Sequence, residues 1–154
     1  MSTQRLPSQF LTQLRELEAS YVRESDPIRQ SGFAGGPARW RLEREPILEP
    51  ILEDGDILDI GCANGFLLES LVAWARERGI SLTPFGVDHG SRLIALARQR
   101  LPEYAEHFYV GNAWDWKPHS GIATSIPSTT VCPSSSWRRS WSGCFAARSR
   151  QVAL

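Results

Sequence analysis

The sequence has no run of about eighteen apolar residues, so no segment would cross a bilayer as a helix. Its first ten residues lack the apolar core of a secretory signal, and a cytoplasmic location is the expectation that follows. Cysteine is scarce. Cys62, Cys132 and Cys144 are odd in number and fall at no paired spacing, which excludes a disulfide framework and a thiolate zinc site. His89, His107 and His119 are not at ligand spacing either, so no metal is expected. There is no internal repeat. There is no excess of either charge: Lys and Arg total 17, as do Asp and Glu. That balance gives no support for a nucleic-acid or membrane-surface binder. A length of 154 residues suits one domain and leaves no room for two large ones.

One absence is local. Residues 119–154 contain no acid at all. They hold four arginines, nine serines, two of the six tryptophans and two of the three cysteines, whereas residues 1–118 are net acidic. A disordered basic tail is usually poor in aromatic residues, so tryptophan and phenylalanine are out of place there.

What is present reads as alternating elements. Phe10, Leu11, Leu14, Leu17 and Tyr21 recur at helical spacing over about 8–23, with Glu16, Glu18, Arg23 and Glu24 as a solvated face. Residues 31–37, rich in glycine, form a loop too flexible to belong to the core. A second helix is expected over about 38–52, broken near Pro46 and Pro50. Its Arg39, Trp40 and Arg41 either close a pocket or lie on the surface. Strands are expected at about 57–60, 83–87 and 107–110. Helices follow the first two strands, the first of them ending at Gly79. Strand, helix, strand, helix, strand implies a parallel sheet with right-handed crossovers. The expected divisions are a helical region 1–53, an α/β half-domain 54–118 and an aberrant, disordered tail 119–154.

The chemistry concentrates in Ile57-Leu58-Asp59-Ile60-Gly61-Cys62-Ala63-Asn64-Gly65-Phe66. An apolar strand ends in an acid, a glycine loop follows, and a helix begins. Gly61 and Gly65 allow close approach of the backbone to a ligand, and the helix N-terminus presents N–H groups. A dinucleotide site would require GxGxxG. Here one acid precedes the first glycine by two residues, which would repel a pyrophosphate and suits a cationic amino-acid group.

This stretch resembles motif I of the class I S-adenosylmethionine-dependent methyltransferases. Phe85-Gly86-Val87-Asp88 and Val110-Gly111-Asn112-Ala113-Trp114 resemble the second- and third-strand motifs in the same order. The resemblance covers about residues 45–116. It implies an α/β fold with a Rossmann-like parallel sheet of that type, incomplete here and preceded by N-terminal helices. It implies S-adenosyl-L-methionine as cofactor, with Asp59, Gly61, Cys62, Asn64, Gly65, Asp88, His89, Asn112, Ala113 and Trp114 as cofactor-binding residues. In the family the acid matching Asp88 takes both ribose hydroxyls. Asn112 stands where an acid is common, with its amide oxygen still able to accept from adenine. Trp114 would cover the adenine face.

Each residue also has a plain structural role to fill. Asp59 and Asp88 can serve as turn or cap acids. Cys62 suits a small buried position, since no histidine is spaced to activate it. No residue stands out as catalytic. The expected reaction is methyl transfer to a small-molecule acceptor of unknown identity, with positioning supplying much of the rate. The alternatives are a non-enzymatic binding protein on the same scaffold, or an NAD(P)-dependent oxidoreductase.

The family pattern stops at about 118. Read one base earlier, the Ser, Trp, Cys and Arg codons of the tail decode into aliphatic and acidic residues. Residues 149–153 can then become Leu-Ala-Pro-Gly-Gly, like the family's turn before its fifth strand. A change of reading frame between about Lys117 and Ser120 is the expectation, and with it weak stability and little activity.

Overall fold

The computed structural model describes residues 8–112 and 130–133. The chain begins with α1 (Ser8–Val22), then a single turn, α2 (Pro27–Gln30). Asp26 starts α2 by accepting the Ile28 N–H at 3.0 Å, with Pro27 at the first helical position. Next comes α3 (Pro37–Arg44). Pro46 has no N–H to continue an α-helix, so α3 tightens into a 3₁₀ turn, Glu45–Leu48.

The α/β part follows as β1 (Gly55–Ile60), α4 (Phe66–Glu77), β2 (Leu82–Asp88), α5 (Ser91–Arg100), a 3₁₀ stretch Pro102–His107 and β3 (Phe108–Val110). Gly79, at φ +75°, ends α4 in a Schellman motif: its N–H reaches the Arg76 carbonyl and the Ile80 N–H reaches Ala75. These bounds lie within about three residues of the sequence expectation, because heptad-like and alternating patterns switch cleanly at glycine and proline.

A fourth strand, β4 (Thr130–Pro133), pairs in parallel with β1. The sequence reading places no element in 119–154. The structure sets this β-prone Thr-Val pair against the edge of β1 that β2 leaves open, where the extended backbone finds partners. The sheet order is β3-β2-β1-β4, all parallel. Connections thus run outward in one direction from β1 to β3, then return to its other side. Ligand crevices of open parallel sheets lie at such a reversal, beyond the strands' carboxyl ends.

One core cluster unites Ile57 of β1, Leu68 and Leu71 of α4, Ile94 and Ala97 of α5, Phe108 of β3 and Leu48. Side chains alternate along a strand, so Leu58, Phe85 and Val87, with Ile60 and Tyr109, form a second cluster on the opposite face. Two sequence expectations are corrected here. Phe33, in the loop taken as too flexible for the core, is buried, packed edge-on against Trp40 at 5.3 Å. Trp40 is itself only 4% exposed and donates its Nε1–H to Ser70 Oγ at 3.0 Å. Long-range ring contacts hold the loop despite its glycines. The Arg44 guanidinium lies 5.1 Å from the Phe33 ring and 5.5 Å from Trp40. Among the described residues no helix is long and apolar enough to cross a membrane.

Candidate functional site

A cavity of about 300 Å³ opens at the carboxyl ends of β1, β2 and β3. That is at the small end of ligand sites, roughly 300–1,000 Å³. Its floor comes from Ile60 at the end of β1, Gly61 and Ala63 just after it, Val87, Asp88 and His89 at the end of β2, and Gly111 and Asn112 after β3. Its opposite wall is α1, through Phe10, Leu14, Leu17, Glu18 and Tyr21.

The glycine loop is shaped by its neighbour strand. The N–H groups of Gly61 and Cys62 both reach the Val87 carbonyl, at 2.7 and 3.1 Å, so the chain turns sharply over β2. Gly61 does this at φ +86°, where a side chain would be strained. Ala63 follows at φ +47° and donates its N–H to Asp88 Oδ2 at 2.9 Å. The other oxygen, Oδ1, accepts the Gly90 N–H at 2.8 Å. Asp88 thus ties both turns together, and each carboxylate oxygen keeps a further lone pair for a ligand.

Gly61, Asp88, His89 and Asn112 therefore meet on one cavity. The other residues singled out in the sequence are placed differently. Ala113 and Trp114 lie outside the described residues. Asn64 is fully buried and does not line the cavity. Its Nδ2 donates to the Pro27 carbonyl and Gln30 Oε1, and its Oδ1 accepts the Phe66 N–H. Gly65 is packed against α5: a Cβ there would stand 3.0 Å from Ala97 Cβ. Cys62 is buried against Gly86, and burial pushes its thiol well above the ordinary range, as do the charges of Asp59 and Asp88. It is a packing residue, not a nucleophile.

Asp59 also stands behind the cavity. It is 1% exposed, and its Oδ1 has no hydrogen-bond partner. Burial first, then the charge of Asp88, push its carboxyl up to about 7, against a counteracting pull from Arg44. The face it shares with Ile57 points toward the helices.

The sequence reading missed the α1 wall. Glu18, expected on a solvated face, is buried and accepts the Arg92 N–H at 2.8 Å, capping α5. The signal was present: Glu18 follows Leu14 by four residues and precedes Tyr21 by three, which puts a lone carboxylate on the apolar side. The Tyr21 phenol, in the same wall, is pushed up by burial and then by the charge of Asp88. Arg39, Trp40 and Arg41 do not reach the cavity. Arg39 pairs with Glu43, and Arg41 bridges Glu45 and Glu77 on the surface.

No protein-family model matches the chain, and no curated protein matches it. Among solved structures it is similar to a SAM-dependent methyltransferase from Geobacter sulfurreducens in complex with S-adenosyl-L-homocysteine. That match has 23% identity and a TM-score of 0.41, over 62% of this chain and 36% of that one. A SAM-dependent methyltransferase from Thiobacillus denitrificans, in complex with the same molecule, matches at 20% identity and a TM-score of 0.45, over 86% and 45% of the two chains. The plantazolicin methyltransferase BpumL matches at 18% identity and a TM-score of 0.39, over 80% and 50%. The chain thus spans half or less of the length of each of these structures.

Proposed function

We propose that this chain is the cofactor-binding part of a class I S-adenosylmethionine-dependent methyltransferase. One observation carries the reading. The cavity at the strand ends is lined by two carboxylates, Glu18 and Asp88, and among its lining residues there is no lysine or arginine. Such a lining disfavours phosphates, which rules against a dinucleotide. It favours a ligand that carries positive charge and hydroxyl donors together. S-adenosylmethionine has a sulfonium, an ammonium and a ribose diol.

The residues present fit that group. Asp88 retains lone pairs for the ribose hydroxyls after meeting Ala63 and Gly90. Gly61 lets the backbone come close without a side chain in the way. Asn112 lines the same cavity beyond β3, where its amide oxygen would accept from the adenine amino group, and Ala113 and Trp114 come next in the chain. The apolar residues Phe10, Leu14 and Leu17 of α1 line the wall that faces the glycine loop. When bound, the cofactor supplies a methyl group activated on sulfur. The chain's own share is to hold and orient it, so that an acceptor is met in line.

In this reading 1–53 is a helical region, 54–118 the cofactor-binding half-domain and 119–154 a tail from another reading frame. The acceptor is a small molecule, and the location is cytoplasmic. Calorimetry with S-adenosyl-L-homocysteine and with NADH tests the proposal. Binding of the homocysteine compound and not of NADH is expected; the reverse pattern overturns it. Asp88→Ala should lower affinity for the homocysteine compound by at least tenfold, roughly one charged hydrogen bond.

A further inference from the structure

Among the fifteen residues of α1 only Glu18 is buried, while Leu11 and Leu17 of its apolar stripe stay 39% exposed. Apolar burial therefore does little to set where this helix sits. Among the described residues, α1 makes polar contacts with other elements through two of its members. The Leu14 carbonyl lies 3.3 Å from His89 Nε2, and the Glu18 carboxylate accepts the Arg92 N–H at 2.8 Å. Arg92 is the second residue of α5, a position whose N–H finds no carbonyl within its own helix. The usual partner is a side chain at the N-cap, and here the N-cap is Gly90, which has none. Glu18 supplies the missing cap from 74 residues before Arg92. A Cβ at residue 90 would stand 3.1 Å from Glu18 Cγ and Oε1, so the glycine that cannot cap its own helix also makes room for the cap from α1. The Gly90 N–H is in turn held by Asp88 Oδ1 at 2.8 Å. The turn that carries Asp88 into the cavity is thus the turn on which Glu18 fastens the opposite wall.

We propose that Glu18 is a positioning residue for the cavity: by capping α5 it sets the distance between the α1 wall and the Asp88 turn. A ligand held between those two surfaces and the cap itself keep α1 in the same place, so each strengthens the other. The Arg92 guanidinium, 3.4 Å from Glu18 Oε2, faces the second oxygen of the carboxylate. What the Arg92 N–H requires is an acceptor oxygen, and a neutral side-chain amide has one as well. Replacing the carboxylate by an amide therefore separates the placing of the wall from attraction between charges. The identity of the ligand rests on the reading above; the placing of α1 does not.

The test is amide hydrogen exchange, read residue by residue by NMR, on the full chain without ligand. In the wild type the Arg92 amide should exchange at least about tenfold more slowly than its intrinsic rate, as a capped N–H does. An Arg92 amide that exchanges at its intrinsic rate overturns the proposal with no variant needed. Glu18→Ala should lower protection across α1 and at Arg92 by about tenfold, the ordinary worth of a cap, with α4 unchanged as the check on folding. Glu18→Gln should restore that protection to within about threefold of the wild type. Gly90→Ala displaces the carboxylate without altering it and should loosen α1 as Glu18→Ala does. An α1 whose protection is unaffected by Glu18→Ala and by Gly90→Ala overturns the proposal. In parallel, affinity for S-adenosyl-L-homocysteine should fall further in Glu18→Ala than in Glu18→Gln. Equal losses would mean that the ligand reads the charge of Glu18 and would overturn the positioning role. If that compound fails to bind the wild type while the α1 and Arg92 amides behave as stated, the cofactor reading fails and the Glu18 cap stands.

Discussion

Replacing Asp59 by Asn tests how the buried acid shapes stability. The folded protein holds the Asp59 proton up to about pH 7, whereas the ordinary carboxyl releases it near 3.8. Between those values the native state binds a proton that the unfolded chain has lost. Stability therefore falls as pH rises through that window. Each pH unit is worth about 1.4 kcal/mol, or roughly 4 kcal/mol across the window. That is a large part of the roughly 5–15 kcal/mol that holds a typical domain together. Asn keeps the side chain's shape and has no proton to lose. The assay is urea unfolding followed by tryptophan fluorescence, with the buried Trp40 and Trp74 as native reporters, at half-unit steps from about pH 4 to about pH 8. The difference curve, Asn variant minus wild type, cancels the other carboxylates. It should climb by roughly 4 kcal/mol from the acidic end to about pH 7 and then level off. A flat difference curve would mean that the Asp59 carboxyl is solvated or paired in solution, and would refute the reasoning.

Three further outcomes are expected. Gly65→Ala should cost about 2–4 kcal/mol in the same unfolding assay, because φ +74° is strained for alanine and its Cβ would press on Ala97 at 3.0 Å; a loss below about 1 kcal/mol would show that α5 yields freely. Cys62 should resist iodoacetamide in the native protein and react readily in urea, with the site read by mass spectrometry; fast native labelling of Cys62 would contradict its burial and raised thiol. The gene itself should contain a single-base change between codons 117 and 120 relative to a frame that continues the methyltransferase pattern, and the absence of any such frame beyond codon 154 would sink that idea.

Most strands and helices of residues 8–112 were legible because their signals are local, although the second helix stops at Leu48 and not near 52, and the 3₁₀ stretch Pro102–His107 was not read. Asp26-Pro27, Pro46, Gly65 and Gly79 punctuate the chain, and the apolar periods between them are clear. The strand-end acid Asp88 and the glycine loop at Gly61 were legible for the same reason. What escaped depends on partners far along the chain. Glu18 is buried because an N–H at Arg92 awaits it. Phe33 is core because Trp40 and Arg44 close over it. Asn64 faces Gln30 and Asp59 faces the helices, so neither lines the cavity that their place in the motif implied. β4 depends on the open edge of β1, which no local pattern in 119–154 announces. Periodicity says which residues are apolar, but not which partner arrives to cover them.

The clamp between Asn64 and α2 has an evolutionary consequence. The loop that shapes the cavity is bonded to the Pro27 carbonyl and the Gln30 amide of the N-terminal region. A lineage that exchanged this region would disturb the glycine loop in the same event. The donor segment would have to bring a carbonyl and an amide to the same two places. The shape of the glycine loop and the sequence at positions 27 and 30 are therefore inherited together, and N-terminal grafts that ignore those positions would leave the buried Asn64 amide without its partners.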